Sequence, residues 1–163
     1  METVIHTIEP VFDKESRVLL LGTMPSPKSR EAGFFYGHPQ NRMWPVLARV
    51  FGEPTPMGTE ARRAFLLSHH IAMWDVLAAC TISGADDSSI KNAVPNDLTP
   101  ILDAAPIAAI FTTGKKALSL YNRHLLPVTG RAALSLPSTS PANCRYETLE
   151  TLTRAYGALR AYI

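Results

Sequence analysis

Four short apolar runs recur along the chain, and a loop and then residues with helical apolar spacing follow each one. Such alternation leaves few architectures open, because right-handed crossovers between parallel strands place the intervening helices on the faces of a single sheet. The first run, Arg17 to Gly22 (RVLLLG), is apolar on both parities, as expected of a strand buried on both sides. Ile71 to Leu77, Ile107 to Thr112 and Ala132 to Leu136 are predicted as the second, third and fourth strands. Helical spacing is predicted over Arg42 to Phe51, with Asn41 as N-cap and Pro45 tolerated near the first turn. A second helix, Thr59 to His69, opens on a Thr cap, and Asp97 or Asn96 is placed to cap a third through Ala105. Gly114 to Leu125 and Arg145 to Tyr162 complete the set, while SGADDSSIKNAVPND reads as a long polar loop. The expected fold is a three-layer α/β/α sandwich around a four-stranded parallel sheet, formed as one domain over residues 1–163.

Composition removes several classes. Two cysteines, Cys80 and Cys144, are too few for a four-thiolate zinc site or an iron-sulfur cluster, and fit a reducing compartment as well as one disulfide. The N-terminus METVIHTIEPVFDKES carries acids and no apolar run before Val18, so neither a signal peptide nor an anchor is expected, and no segment reaches transmembrane length. The expectation is a cytoplasmic monomer with no membrane association, no cofactor and no metal. A net charge of +2 permits an anionic partner without requiring one.

In open parallel sheets the ligand crevice lies beyond the carboxyl ends of the strands, which directs attention to three segments. The loop after the first strand, GTMPSPKSREAGFFYGHPQNRMW, sets aromatics, a His, a Gln and an Asn between Gly and Pro turns; loops of this length in compact domains are usually functional or disordered. Read alone, Tyr36 could equally plug the sheet end and Asn41 merely cap a helix. SLPSTSPAN, residues 135–143, brings small hydroxyls and an amide to the same edge, although Pro137 and Pro141 also suit a stiff turn and Asn143 a cap. FTTGKKAL, residues 111–118, leads from a strand through Gly114 into a helix start, but lacks the spacing of a phosphate-binding P-loop.

Spacing also sets familiar chemistries aside. Neither a G-x-S-x-G elbow nor an H-E-x-x-H or zinc-deaminase pattern is present, and His6, His38, His69, His70 and His124 have no metal-ligand spacing. Trp44 and Trp74 read as core residues, the His69/His70 pair as an answer to a helix dipole, and Asp86 and Asp87 as solvated loop charges.

Taken together, G-x-x-P-S, F-F-Y-G-H-P-x-N-R-x-W, WDVLAAC with GADDSSIKNAVPNDL, and L-P-S-T-S-P-A-N run in this order from about Val18 to Asn143. The combination resembles the uracil-DNA glycosylase superfamily, and within it the hypoxanthine-DNA (deoxyinosine) branch. The resemblance implies hydrolysis of the N-glycosidic bond of a deaminated base flipped out of DNA, with a four-stranded parallel sheet between helices. Tyr36 matches the aromatic that stacks on the flipped base, and Asn41 the asparagine given catalytic importance in that branch. Met24 stands where uracil and mismatch-uracil enzymes carry Asp or Asn, and Leu136 where uracil enzymes carry His or Asn before Pro-Ser; hypoxanthine relatives share an apolar residue there. Ser138, Thr139, Ser140, Pro141 and Asn143 correspond to the loop that enters the minor groove.

The base pocket is therefore expected to include Thr23, Met24, Tyr36 and Gly114, with backbone N–H groups near Thr23 and Gly114 and the side chain of Asn41 as candidate donors; Asn41 is expected to hold a water through its carbonyl, with binding of the base edge as the other role. Lys28, Arg30, Arg42, Lys115, Lys116 and Arg145 are the expected phosphate contacts. Alternatives are a uracil-preferring member, a small-molecule nucleoside hydrolase on the same fold, or a non-catalytic DNA or nucleotide binder.

Overall fold

The computed structural model describes residues 1–163. Its main sheet contains β2 (Val18–Gly22), β3 (Ile71–Asp75), β6 (Ala109–Thr113) and β7 (Ala133–Leu136), all parallel and ordered β3-β2-β6-β7. The four predicted strands are these four, with ends moved by one or two residues. Val18 to Leu21 are fully buried because alternate side chains enter two different cores. Val18 and Leu20 join Phe111, Met73 and the helix residues Trp44 and Leu47; Leu19 and Leu21 join Ile110, Ala72, Ile101 and Tyr121. Two apolar layers on opposite faces of one sheet make the three-layer sandwich.

One face is covered by α2 (Met43–Phe51), α3 (Thr59–Ser68) and α7 (Leu149–Tyr156), the other by α4 (Thr99–Ala104) and by α5 (Lys115–Leu120). A π-turn, Tyr121–Leu125, joins α5 to α6 (Leu126–Thr129), so the helix expected from Gly114 to Leu125 is a composite. Local chemistry moved other boundaries. Thr59 is the first residue of α3, not its cap, and Gly58 occupies the cap position. Thr148 and Thr151 form a reciprocal capping box, which starts α7 at Leu149 instead of Arg145. Leu98, not Asp97 or Asn96, holds the cap position of α4; Asp97, one residue earlier, accepts from Thr99 N on Oδ1 at 2.9 Å. Within the long first loop, Ser26 caps an unexpected short helix, α1 (Pro27–Ala32).

The main departure lies in the segment read as a polar loop. β4 (Leu77–Ser83) and β5 (Asp86–Pro95) form a hairpin, and β1 (Glu2–Ile5) pairs antiparallel with β4 to give a second sheet ordered β1-β4-β5. β5 is mostly exposed and its register shifts repeatedly, so it lacks the alternation by which half-buried strands are recognised. The sheet swings β1 and the hairpin tip to the carboxyl end of β3, where they become part of the site. No helix is long and apolar enough to cross a membrane.

Candidate functional site

The strand order reverses at β2, whose neighbours β3 and β6 follow it in sequence on opposite sides. Such a switch point opens a crevice at the carboxyl ends of the strands. A pocket lies there, lined by Gly22 at the end of β2 and Thr23 and Met24 after it, Asp75 at the end of β3, and Thr113 at the end of β6. The first long loop contributes Phe35, Tyr36, His38 and Asn41; residues 138–141 contribute the opposite wall; Ile82, Ala85 and Asp87 come from the hairpin. Eight of the residues singled out from sequence meet here: Thr23, Met24, Tyr36, Asn41, Ser138, Thr139, Ser140 and Pro141.

Tyr36 is held in the left-handed backbone region at φ 51°, between turns that bury Phe34 and Phe35. Its hydroxyl shares a 3.2 Å hydrogen bond with Thr113 Oγ1. Burial, and then the negative charge of Asp75, push the phenol well above its ordinary range, so it stays neutral at physiological pH. Tyr36 is thus both a plug of the sheet end and a wall of the pocket.

The carbonyl of Asn41 is committed within the protein. Its Oδ1 accepts from Met43 N, the first residue of α2, at 2.9 Å and from Thr139 Oγ1 at 2.8 Å, while Arg42 and not Asn41 holds the N-cap position. Met43 N is an obligate donor, which fixes the oxygen of the amide on that side. With the carbonyl doubly engaged, Nδ2 is the group left for the pocket, as a donor. Thr139 is buried, and its carbonyl accepts from Arg42 N at 3.1 Å, so the two loops are clamped together by side chain and backbone alike. Thr139 therefore builds the pocket wall and has no free surface for a groove.

Gly114 also differs from expectation. Its N–H donates to Leu136 O at 2.7 Å and so is unavailable as an oxyanion donor. It adopts φ 90°, a region favouring glycine, and a Cβ there would sit 3.4 Å from Ser138. Asn143 Nδ2 donates to Ser138 O at 2.9 Å and holds the same turn.

Among the expected cationic contacts, Lys28, Lys115 and Arg145 are exposed. Arg42 is turned inward: Nη1 donates to Glu147 O at 2.5 Å, while Nε and Nη2 are buried without partners. Arg30 is drawn to Pro25 O and to Glu2, and Lys116 lies within the field of Asp87. His69 pairs with Glu53 and stacks on Phe51 at 4.0 Å, away from the pocket.

Three polar groups at the site were not among the expected site residues. Asp75, 4% exposed, receives a 2.8 Å hydrogen bond on Oδ2 from His6 Nε2, whose side chain is itself buried. Asn96 Nδ2 donates to the backbone carbonyls of Asp75 and Leu77 and fixes the bend between β3 and β4. Asp87, expected to be a solvated charge, keeps an exposed surface but turns its carboxyl toward Thr23 and the pocket. Desolvation raises its affinity for a proton, the Thr23 hydroxyl opposes this, and Asp75 adds to it. WDV and GADD signalled these residues only weakly, because a strand-end Asp and a turn Asp are ordinary; it is the unanticipated second sheet that brings them together.

The site is a small neutral-to-acidic recess with one tyrosine wall, one amide donor and one buried carboxylate, and it contains no group of three or more His, Cys, Asp or Glu able to hold a metal ion. The sequence model of the Uracil DNA glycosylase superfamily matches residues 9–160. Two curated relatives, each named Hypoxanthine DNA glycosylase, come from Methanosarcina acetivorans and Methanosarcina barkeri. They are 32% and 31% identical over 138 residues, which is 83% of this chain and 86% of each relative. The solution NMR structure of a candidate uracil DNA glycosylase from Methanosarcina acetivorans superposes with a TM-score of 0.80 at 28% identity, covering 98% of this chain and 99% of that one. With its pocket at the strand ends of such a sheet, the chain belongs to the uracil DNA glycosylase superfamily.

Proposed function

We propose that this protein is a monofunctional DNA glycosylase that excises a deaminated base, hypoxanthine in preference to uracil, from a nucleotide flipped out of DNA. The observation that carries this reading is the convergence of Tyr36, Asn41 and the 138–141 turn on one recess at the strand ends. Two relatives named for hypoxanthine support the choice of base, as do Met24 and Leu136 at positions where uracil enzymes carry polar side chains.

The reaction breaks the C1′–N9 bond, leaves the electron pair on the purine, adds water to C1′, and returns one proton to the base. Charge builds as a cation on the sugar, beside the DNA phosphates, and as an anion on the base. Asn41 is neutral and cannot take a proton near pH 7. Its role here is donation from Nδ2, to a lone pair of the departing base or to the oxygen of the attacking water. Tyr36 supplies a rigid π-face for a planar heterocycle. Inosine pairs less tightly than the normal bases, so extrusion itself contributes to selection. In this reading Ser138, Ser140, Pro141 and Asn143 meet the DNA backbone, with Lys28, Lys115 and Arg145 on phosphates.

End-labelled duplexes carrying one inosine or one uracil, incubated with excess enzyme and then alkali, test the reading. Cleavage at inosine that falls by ~10²-fold or more in Asn41→Ala is the expected result. Cleavage at uracil alone would reverse the specificity, and a folded protein that cuts neither would refute the activity.

A further inference from the structure

Adding water to C1′ requires a group that takes a proton from that water, and the neutral amide of Asn41 cannot be that group. The shape of the substrate says where it must stand. The base enters the recess while the sugar stays on the DNA strand outside, so C1′ and its attacking water lie at the rim and not on the floor. Four titratable side chains line the recess: Tyr36, His38, Asp75 and Asp87. Tyr36 holds its proton, because burial and then the charge of Asp75 push the phenol up. His38 Nδ1 accepts from Gln40 N at 3.0 Å, which commits the lone pair of the neutral ring and leaves the proton on Nε2. Asp75 is 4% exposed on the floor, with one oxygen bound to His6 and the other set against Gly22 and Tyr36. Asp87 remains, on the exposed hairpin at the rim.

The hairpin aims this carboxyl by its own chemistry. Asp86 opens β5 opposite Ser83, and its Oδ1 accepts from Ser88 N at 3.0 Å and from Ser88 Oγ at 2.6 Å. Ser89 Oγ donates to Asp86 O at 2.6 Å and accepts from Ser83 N at 2.8 Å, so the turn is tied within itself. Side chains alternate along a strand, and the next residue therefore points away from this knot, its carboxyl toward the Thr23 hydroxyl and the recess. Asp75 and Asp86 oppose a charge there, Lys116 at the start of α5 favours it, and the Tyr36 phenol and Cys80 thiol nearby keep their protons. Desolvation outweighs these fields and holds the proton affinity above that of an ordinary carboxylate. Such a group is a stronger base near neutral pH, and its exposed side lets it pass a proton on to solvent.

We propose that Asp87 is a further catalytic residue, the general base at the rim of the recess that accepts the proton of the attacking water. The inference rests on the glycosylase reading and assigns the proton transfer that reading leaves without an acceptor. As the water oxygen bonds to C1′, one of its O–H bonds breaks and the proton passes to the Asp87 carboxylate. The C1′–N9 bond breaks, and its electron pair leaves with the purine. Asp87 then gives up the proton, directly or through solvent, to the departing base; one water is consumed and the carboxylate is restored.

Single-turnover excision from an inosine duplex, followed between about pH 4.5 and about pH 8.5 beside duplex affinity and thermal melts, tests the assignment. The wild-type rate should fall on the acid side as Asp87 takes up its proton, along a limb centred above the ordinary carboxylate value of about 3.9. Asp87→Asn should lose that limb and fall by about 10²-fold or more at neutral pH, while it stays folded and binds the duplex as the wild type does. Asp87→Glu should keep the limb and recover part of the rate. Formate, a carboxylate small enough for the vacated place, should accelerate Asp87→Ala and leave the wild type unchanged. Lys116→Gln removes the cation that favours the charged form, so its limb should move to higher pH. An Asp87→Asn enzyme that keeps the acid limb, or a rate within about threefold of wild type, would overturn the proposal. So would a loss relieved by neither Glu nor formate, which would make Asp87 a structural part of the hairpin, or a limb that disappears in His38→Gln instead. A wild-type protein that releases neither hypoxanthine nor uracil fails the glycosylase reading, whereas one that cuts inosine and is matched by Asp87→Asn fails only the assignment of the base.

Discussion

Asn41 and Thr139, 98 positions apart in sequence, are joined directly: Thr139 Oγ1 donates to Asn41 Oδ1 at 2.8 Å. The same oxygen accepts from Met43 N, the first residue of α2. One amide thus orders a helix start, fixes the opposing loop and presents its NH2 group to the pocket, so the halves of the side chain can be tested separately.

Asn41→Asp keeps an oxygen for Met43 N and Thr139 and replaces the NH2 by a second oxygen. If donation from Nδ2 is what the reaction uses, excision of inosine falls about as far as in Asn41→Ala, by ~10²-fold, although the variant remains as stable as the wild type. A carboxylate that retained most of the rate would mean that an acceptor holding water is the working group. Single-turnover rates beside thermal melts separate the two cases.

Gly22→Ala should be severe although it removes no side chain. The added methyl would lie 2.5 Å from Asp75 Oδ1 and 2.9 Å from Tyr36 Oη, two groups held by His6 and Thr113. Displacing either by about an ångström misplaces the base, and misplacement of that size is worth about 10² in rate. The measurement is the inosine excision rate alongside affinity for undamaged duplex; a fall in the first with the second held is expected.

The parallel sheet was legible because burial on both faces writes itself as continuous apolar runs, and Val18 to Leu21 are as buried as that pattern demands. The aromatic loop and the 138–143 turn were legible as the segments beyond the strand ends. What sequence could not convey was direction. Asn41 was identified, but which half of its amide faces the pocket depends on Met43 N and Thr139. Gly114 was identified, but its N–H is consumed by Leu136 O. His6 and Asp75 stand 69 positions apart, and only the pairing of β1 with β4 explains their meeting. Exposed, irregular strands such as β5 carry little periodic signal, and a turn residue such as Asp87 then reads as solvated.

Asp87 gives the fold a pH dependence of defined sign. Its proton affinity is raised in the native state, first by desolvation, and in the unfolded chain it returns to the ordinary value near ~3.9. At neutral pH the carboxylate is charged in both states, and its setting beside Asp75 subtracts from stability. As the pH falls through the raised native value the folded protein binds the proton first, and the penalty is lifted. Asp87→Asn should therefore raise Tm at pH 7, with the gain shrinking as pH approaches ~4. Its partial exposure keeps the effect modest. Melts of both proteins across pH check the sign; a gain that grew in acid would contradict it.

Salt dependence separates the cations by their surroundings. Lys28, Lys115 and Arg145 are exposed, and if each neutralises one phosphate, its replacement by Gln should reduce the slope of log K against log salt by about 0.9. Arg42 should behave differently, although it sits beside Asn41 in sequence. Its Nη1 donates to Glu147 O, and the rest of the guanidinium is buried under the chain leading into α7. A charge spent on the interior releases no counterions, so Arg42→Met should leave the slope unchanged. The change should appear in stability instead, because a hydrogen bond from a charged donor is lost, an effect of about 1.5–3 kcal/mol offset in part by the removal of two unpartnered N–H groups. Titrations of the four variants at several salt concentrations, with melts of Arg42→Met, distinguish the two kinds of cation; a reduced slope for Arg42→Met would mean that the arginine swings outward onto DNA.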